Sequence, residues 1–240
     1  MSAPQPAARG SRFFAMSAIL IGSLVVLSFP LSYFIPAVNG SKRFSLLHHL
    51  HGLAVFAWVG LYVVQTRLVR SGNIRRHREF GIAGVALAGA MLPLGLWLTV
   101  NAAAGREAEG VALPFEFSLY NFVDITVFSV AFGLAIYEAS RRIEWHRRLM
   151  FVAMLNLFGP AFSRWTLKLP LPFPWVDMSA NLAADALLFA LAWHDRRVLG
   201  RIHPVTLWAV LILIPFHAIE PLIARSAIWT NLAPHLFGFG

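Results

Sequence analysis

Long apolar stretches alternate with short polar segments along the whole length of the chain. An apolar run of about 20 residues is long enough to cross the hydrocarbon core of a bilayer as a helix. The pattern therefore predicts an all-α integral membrane bundle of seven transmembrane helices, because no other segment is long enough to form a soluble domain. The predicted spans are 13–38, 44–69, 80–103, 117–139, 149–167, 178–193 and 204–228.

Two segments outside the spans differ from them in composition. Residues 1–12 are polar and rich in small side chains, which predicts a disordered N-terminal tail. The prolines of the connector LPLPFPW, residues 169–175, are incompatible with regular helix. Residues 13–240 are interpreted as a single transmembrane domain.

Two of the predicted hairpins, residues 44–103 and 117–167, share a sequence pattern. Each has an apolar helix, a basic loop with a His-Arg pair, and a second apolar helix that contains a proline, Pro93 or Pro160. Two explanations stay open. One is an old duplication of a helix hairpin, and the other is that any two hairpins with a basic loop share these features.

Composition and charge narrow the class of protein. Hydrophobic residues make up 58% of the chain and charged residues only 13%, whereas soluble domains carry about 25% charged residues. The formal charge of +9 does not indicate nucleic-acid binding, because the basic residues lie in short loops where they orient helices and meet lipid headgroups. The absence of cysteine excludes disulfides, thiolate metal sites and haem attached through a CxxCH motif.

Loop charges predict the orientation of the bundle. Fourteen of the 20 basic residues fall before span one or around the loops that join spans two and three, four and five, and six and seven. The positive-inside rule therefore predicts a cytoplasmic N-terminus, and seven crossings then place the C-terminus outside. The fourteen are Arg9, Arg12, Arg67, Arg70, Arg75, Arg76, Arg78, Arg141, Arg142, Arg147, Arg148, Arg196, Arg197 and Arg201.

Seven ionisable residues lie inside the predicted spans at a similar depth. A rise of about 1.5 Å per residue places most of them roughly 6 to 10 Å below the outer membrane face. Charged groups in hydrocarbon are costly and normally face the bundle interior, so we expect these side chains to meet in one outer cavity. They are His48, His51, Asp124, Arg164, Asp185, His217 and Glu220.

Such a set of side chains fits three kinds of function. The first is a metal or haem site with a redox or hydrolytic role, since imidazole and carboxylate bind zinc or iron and paired histidines bind haem b. The second is a proton-coupled transporter or a channel for a small solute. The third is a structural subunit whose polar groups only tie helices together.

The metal hypothesis assigns a role to each side chain. His51 and His217 are the preferred metal ligands, and His48 and Glu220 are additional ones. Asp124 and Asp185 are the candidate catalytic residues, which orient ligands or shuttle protons. The hypothesis also allows a small-molecule substrate or a redox partner.

Two further histidines, His77 and His146, lie at the predicted inner membrane face, each directly before an arginine. They fit two interpretations. In the first, they are interfacial residues that contact headgroups or cap a helix. The other is a second cofactor site, which together with the outer histidines could hold a second haem and carry electrons across the bilayer.

Several runs between residues 45 and 165 resemble a family of uncharacterised bacterial polytopic inner-membrane proteins. The first half of the pattern is His51-Gly52, Trp58, Gln65 and HRxxG from His77. The second half is the HxRLM motif from His146, then Pro160-Ala161 and Arg164. The resemblance implies a multi-pass protein of the bacterial inner (cytoplasmic) membrane, and it implies no established activity.

Overall fold

A computed structural model describes residues 6–238, with side chains from residue 12 onward, and all regular structure in that range is helical. The first five residues of the predicted tail lie outside the described residues, and helix begins at Pro6. The helices are α1 (Pro6–Phe29), followed after a π-helical turn (Pro30–Phe34) by α2 (Ile35–Val38), α3 (Leu46–Arg70), α4 (Ile74–Ala108), α5 (Glu116–Glu138), α6 (Ile143–Thr166), α7 (Trp175–Leu199), α8 (Pro204–Ala224) and α9 (Ala227–Phe237).

Six helical segments in the described range are long and apolar enough to cross a membrane. This confirms the predicted all-helical membrane architecture, and each segment coincides with a predicted span. They are Arg12–Val38, which runs from α1 through the π-helical turn to α2, and α3, α4, α5, α7 and α8.

Helix α6 coincides with the remaining predicted span but does not belong to that apolar set. It lies in the middle of the bundle, packed against α1, α5, α7 and α8. A helix surrounded by other helices meets little lipid, so its sequence tolerates Arg148, Asn156 and Arg164, which face protein. The described part of the chain therefore supports a multi-pass bundle, while the count of seven spans and the orientation stay predictions.

The helices pack as two rings that share α5 and α6. One ring contains α1, α3, α4, α5 and α6, in which each helix contacts the next and α6 contacts α1. This group is called the five-helix ring below. In the second ring α7 lies between α6 and α8, and α8 returns to α5.

The two ends of the bundle are named from the chain termini of their helices. The outer end carries the first residues of α3, α5 and α7 and the last residues of α4, α6 and α8, because consecutive helices run antiparallel. The inner end carries the connections from α3 to α4, from α5 to α6 and from α7 to α8. The names follow the predicted orientation.

Helix α4 begins earlier than predicted and is unusually long. The Asn73 side chain accepts a hydrogen bond from the Arg76 backbone N–H at 3.3 Å, which caps the helix. Its basic first turns were expected to be a loop but are helical, and His77 therefore lies on α4. With 35 residues, α4 extends for about 52 Å, well beyond a hydrocarbon core of about 30 Å.

The last predicted span ends at Ala224 instead of near residue 228, and a short helix follows it. The Ser226 hydroxyl accepts a hydrogen bond from the Trp229 backbone N–H at 3.3 Å and so caps α9. The Trp229 indole N–H donates to the Phe115 carbonyl at 3.0 Å, which fastens α9 to the outer end of α5. A helix of 11 residues is too short to cross a bilayer.

Candidate functional site

A cavity of about 760 Å³ opens in the outer half of the five-helix ring and reaches α7. We call it the outer cavity. Its size is in the range of pockets that hold small organic molecules. Its apolar wall includes Val25, Phe29, Val55, Met91, Phe128 and Leu157, and polar groups on its surface include His51, Asn121, Asp124, Asn156, Ser163, Arg164 and Asn181.

Arg164 supplies a positive charge inside the outer cavity. It lies in the last turn of α6, where its Nη1 donates to the Ser28 hydroxyl at 3.1 Å. Its guanidinium carbon is 4.1 Å from the centre of the Phe29 ring, a cation–π distance. Among the side chains of residues 12–238, no carboxylate lies within 4.0 Å of this guanidinium.

Asp124 supplies a carboxylate to the same cavity from the middle of α5. It lines both the outer cavity and a narrow extension of about 10 Å³, about the room one water molecule needs. Gly159 faces it, since a Cβ built on that glycine would be 3.8 Å from Asp124 Oδ2. The described side chains place no cation within 4.0 Å of Asp124.

His217, on α8, also lines the narrow extension. Its Nδ1 is 2.7 Å from Asp185 Oδ1, and the two side chains belong to residues that are only 8% and 6% exposed. Because a carboxylate oxygen can accept this hydrogen bond, the imidazole Nδ1 carries the proton. A buried His–Asp pair thus borders the same narrow space as Asp124.

Glu220 is also buried, one helical turn beyond His217 on α8. It accepts a hydrogen bond from Asn181 Nδ2 at 2.8 Å, and Asn181 lines the outer cavity. His48 lies elsewhere: its Nδ1 is 2.8 Å from the Ser45 hydroxyl, at the first residues of α3, and it does not line the cavity.

The predicted residues are thus brought together only in part. His51, Asp124 and Arg164 line the outer cavity, His217 reaches its extension, and Asp185 and Glu220 lie behind cavity-lining residues. Within the described part of the chain, no group of three or more histidine, aspartate or glutamate side chains could hold a metal ion. The predicted metal-ligand set therefore receives no support from the structure.

The rim of the outer cavity carries an ion-pair group that the sequence did not single out. Arg225, at the break between α8 and α9, forms an ion pair with Glu116 and lies 3.9 Å from Asp177. Its guanidinium also lies 3.7 Å from the centre of the Phe173 ring. The first turns of α5 and α7 carry the two carboxylates, where a helix dipole favours negative charge.

The two inner histidines face each other between α4 and α6. The ring centres of His77 and His146 are 6.2 Å apart. His146 Nδ1 is 2.8 Å from the Ala135 carbonyl oxygen, while His77 Nδ1 is buried without a hydrogen-bond partner in the described residues. These residues do not reach the outer cavity.

A second polar group at the inner end was missed entirely by the sequence reasoning. Arg148 and Asp195 are both 0% exposed and form an ion pair between α6 and α7, with Nε to Oδ1 at 2.9 Å. Arg148 Nη1 also donates to Glu144 at 2.5 Å, and the Thr206 hydroxyl donates to Asp195 at 2.6 Å. We call Glu144, Arg148, Asp195 and Thr206 the inner ion-pair cluster.

The backbone at the start of α8 completes this cluster. The His203 N–H donates to Asp195 Oδ2 at 3.2 Å. Burial lowers the pKa of the His203 imidazole below its ordinary value, and the nearby Arg148 charge lowers it further. The lowered pKa favours the neutral imidazole, although the Asp195 and Glu144 charges act in the opposite direction.

Comparison with known proteins adds no assignment, since no family model, curated protein or solved structure matches this chain. The resemblance seen in the motifs stays a prediction.

Proposed function

We propose that this chain is a seven-span protein of the bacterial inner membrane, with a cytoplasmic N-terminus and an external C-terminus, that transports a small anionic amphiphile together with a proton. The observation that carries the proposal is Arg164, a guanidinium without a carboxylate partner among the described side chains, placed in a largely apolar cavity.

An unpaired cation in a membrane bundle is costly, and a bound anion would compensate it. Arginine suits carboxylate and phosphate head groups because its planar fork donates two parallel hydrogen bonds. Ser28 occupies only Nη1, and the Phe29 ring supports the guanidinium plane. The apolar wall formed by Val55, Met91 and other side chains favours an aliphatic or aromatic body on the ligand.

Asp124 would couple this anion to a proton. If Asp124 were charged, a bound anion would place two negative charges in one cavity of low dielectric, which is unfavourable. Protonation of Asp124 removes that repulsion, so the anion and a proton bind together. By linkage, the apparent affinity for the anion rises as the pH falls through the range where Asp124 becomes protonated.

The His217–Asp185 pair gives Asp124 a neighbour that can exchange protons. Asp124 and His217 line the same narrow extension, whose volume is close to that of one water. A histidine hydrogen-bonded to a carboxylate is a common element of proton relays in membranes. Other titratable or charged groups that line the cavity are Lys42, His51, Arg106, Glu116, Tyr120, Arg164, Asp177 and Arg225, and the nearby Glu220 carboxylate also acts on Asp124.

A binding measurement tests the anion site directly. The protein is placed in nanodiscs of zwitterionic lipid, and the affinity is measured for decanoate, for decyl phosphate and for the neutral analogue 1-decanol. We expect the two anions to bind more tightly than the alcohol. Arg164→Gln should lower the affinity for both anions by at least about tenfold, roughly 1.4 kcal/mol, and leave the affinity for 1-decanol unchanged.

Arg75→Gln is the matched control, because Arg75 is exposed and pairs with Glu79 on the surface. Equal binding of the anions and the alcohol, or unchanged anion affinity in Arg164→Gln, would refute the anion site. Elemental analysis and an absorption spectrum of the same sample test the metal alternative. Stoichiometric zinc or iron, or a Soret band, that is lost in His51→Ala and His217→Ala would favour that alternative.

Proton uptake tests the coupling. Addition of decanoate to the protein in weakly buffered solution should remove protons from the solution, as measured by a pH-sensitive dye. Asp124→Asn should abolish this uptake, because the amide cannot take up the proton, while Glu109→Gln, at an exposed position, should not. Uptake that persists in Asp124→Asn would refute the role of Asp124.

A further inference from the structure

The geometry points to a second site at the inner end of the five-helix ring, in which His77 and His146 together bind a divalent transition-metal ion of the zinc class. This inference is independent of the proposed transport function. It uses none of the residues of the outer cavity.

The fold brings the two histidines together from distant parts of the chain. His77 lies in the first turns of α4 and His146 in the first turns of α6, and both helices begin at the inner end. The ring centres are 6.2 Å apart and the ring planes meet at 77°. Two metal–nitrogen bonds of about 2 Å each, added to the distance from each nitrogen to its ring centre, span this separation when the two bonds are nearly collinear, and a tetrahedral ion would draw the ring centres about 1 Å closer together.

The tautomer of His146 is set for metal binding. Its Nδ1 lies 2.8 Å from the Ala135 carbonyl oxygen, and a carbonyl can only accept a hydrogen bond. Nδ1 therefore carries the proton and Nε2 keeps the lone pair that binds a metal. Histidines that bind metals commonly donate their other nitrogen to a carbonyl or a carboxylate in this way.

Two unsatisfied polar atoms point to a missing ligand in the same region. His77 Nδ1 and Gln65 Oε1 are both buried without a hydrogen-bond partner in the described part of the chain. A Cβ built on Gly81 would lie 3.8 Å from Gln65 Nε2, and Gly81 follows His77 by one helical turn. Gln65 thus lies against α4 one helical turn beyond His77, and a metal ion bound between the two imidazoles would satisfy the His77 nitrogen.

The positive charge around the pair is partly compensated. Arg147 shares Glu144 with Arg148, and Arg75 lies 3.4 Å from Glu79, while the charge of Arg78 acts on His77 without an acidic partner among the described side chains. Imidazole is a neutral ligand suited to zinc, copper or nickel. No third histidine, aspartate or glutamate joins the pair within the described residues, so water would complete the coordination.

Zinc binding to the full chain tests this inference. Protein purified in the presence of a chelator is dialysed against Zn²⁺ alone, and bound metal is measured by elemental analysis. We expect one saturable equivalent, and at least a tenfold weaker affinity in His77→Ala and in His146→Asn. His194→Ala, at the same end of the bundle, and His235→Ala, on α9, are the matched controls and should bind as the parent chain does.

Two measurements keep the test decisive if a variant folds poorly. Size-exclusion chromatography checks the fold of each variant, and electron paramagnetic resonance of Cu²⁺ bound to the unaltered chain counts the nitrogen ligands. Hyperfine coupling to two imidazole nitrogens supports the site. Binding that is not saturable, binding unchanged in both site variants, equal loss in His194→Ala, or coupling to fewer than two nitrogens would overturn it.

Discussion

The outer cavity and the inner ion-pair cluster each place an arginine and an aspartate inside the bundle, but among the described side chains these two residues form an ion pair only in the cluster. In the cluster, Arg148 and Asp195 are 0% exposed and bond to each other, to Glu144 and to Thr206. In the cavity, Arg164 and Asp124 form no ion pair within the described residues, and both face open space. The partners of a buried charge therefore distinguish a structural role from a binding role better than its depth does.

The physical reason is the cost of desolvation. When a buried charge is fully paired within the protein, a ligand has no unpaired charge to neutralise. If one partner is removed, the desolvation penalty of the other charge is no longer offset. A buried charge that faces a cavity has an unmet interaction that a ligand or a proton can supply.

The largest effect is expected for Asp195→Ala. The change leaves Arg148 charged and buried without its main partner, which should lower the free energy of unfolding by about 3–5 kcal/mol. Thermal unfolding in detergent measures the effect. Glu79→Gln, which removes an exposed partner of Arg75, is the control and should cost no more than about 1 kcal/mol; equal shifts in the two variants would contradict the role of the cluster.

A smaller effect is expected for Thr206→Val, which removes the hydroxyl that donates to Asp195 at 2.6 Å. The shape of the side chain is kept, so the loss is that of one hydrogen bond to a charged group, about 1–3 kcal/mol. The same unfolding assay measures it. In the Asp195→Ala background the second change should cost much less, because the acceptor is already gone; full additivity would show that the bond does not matter.

The sequence predicted the helices well because length and apolar composition suffice to define a span. It missed the cluster because Arg148, close to a loop, fits the positive-inside pattern as well as its neighbour Arg147 does. The count of residues along each span placed Asp124 and Arg164 at one level. The sequence could not predict that Asp185 accepts a hydrogen bond from His217, because the rotation of each helix and the identity of its neighbours depend on how the helices pack.

The smallest effect on stability is expected for Asp124→Asn. The carboxylate has no ion-pair partner in the described part of the chain, so the free energy of unfolding should change by less than about 1 kcal/mol. The same variant should lose proton uptake on addition of decanoate. A stability loss close to that of Asp195→Ala would mean that Asp124 is structural after all and would remove the contrast between the two regions.

The affinity of Arg164→Gln for decanoate, measured beside that of the unaltered chain in nanodiscs, tests the central claim most directly. The account predicts at least about a tenfold weaker affinity and unchanged binding of 1-decanol. It also predicts a loss of stability well below that of Asp195→Ala, because Arg164 has no partner among the described carboxylates and loses only its contacts with Ser28 and Phe29. Unchanged decanoate affinity, or a large loss of stability, would contradict it.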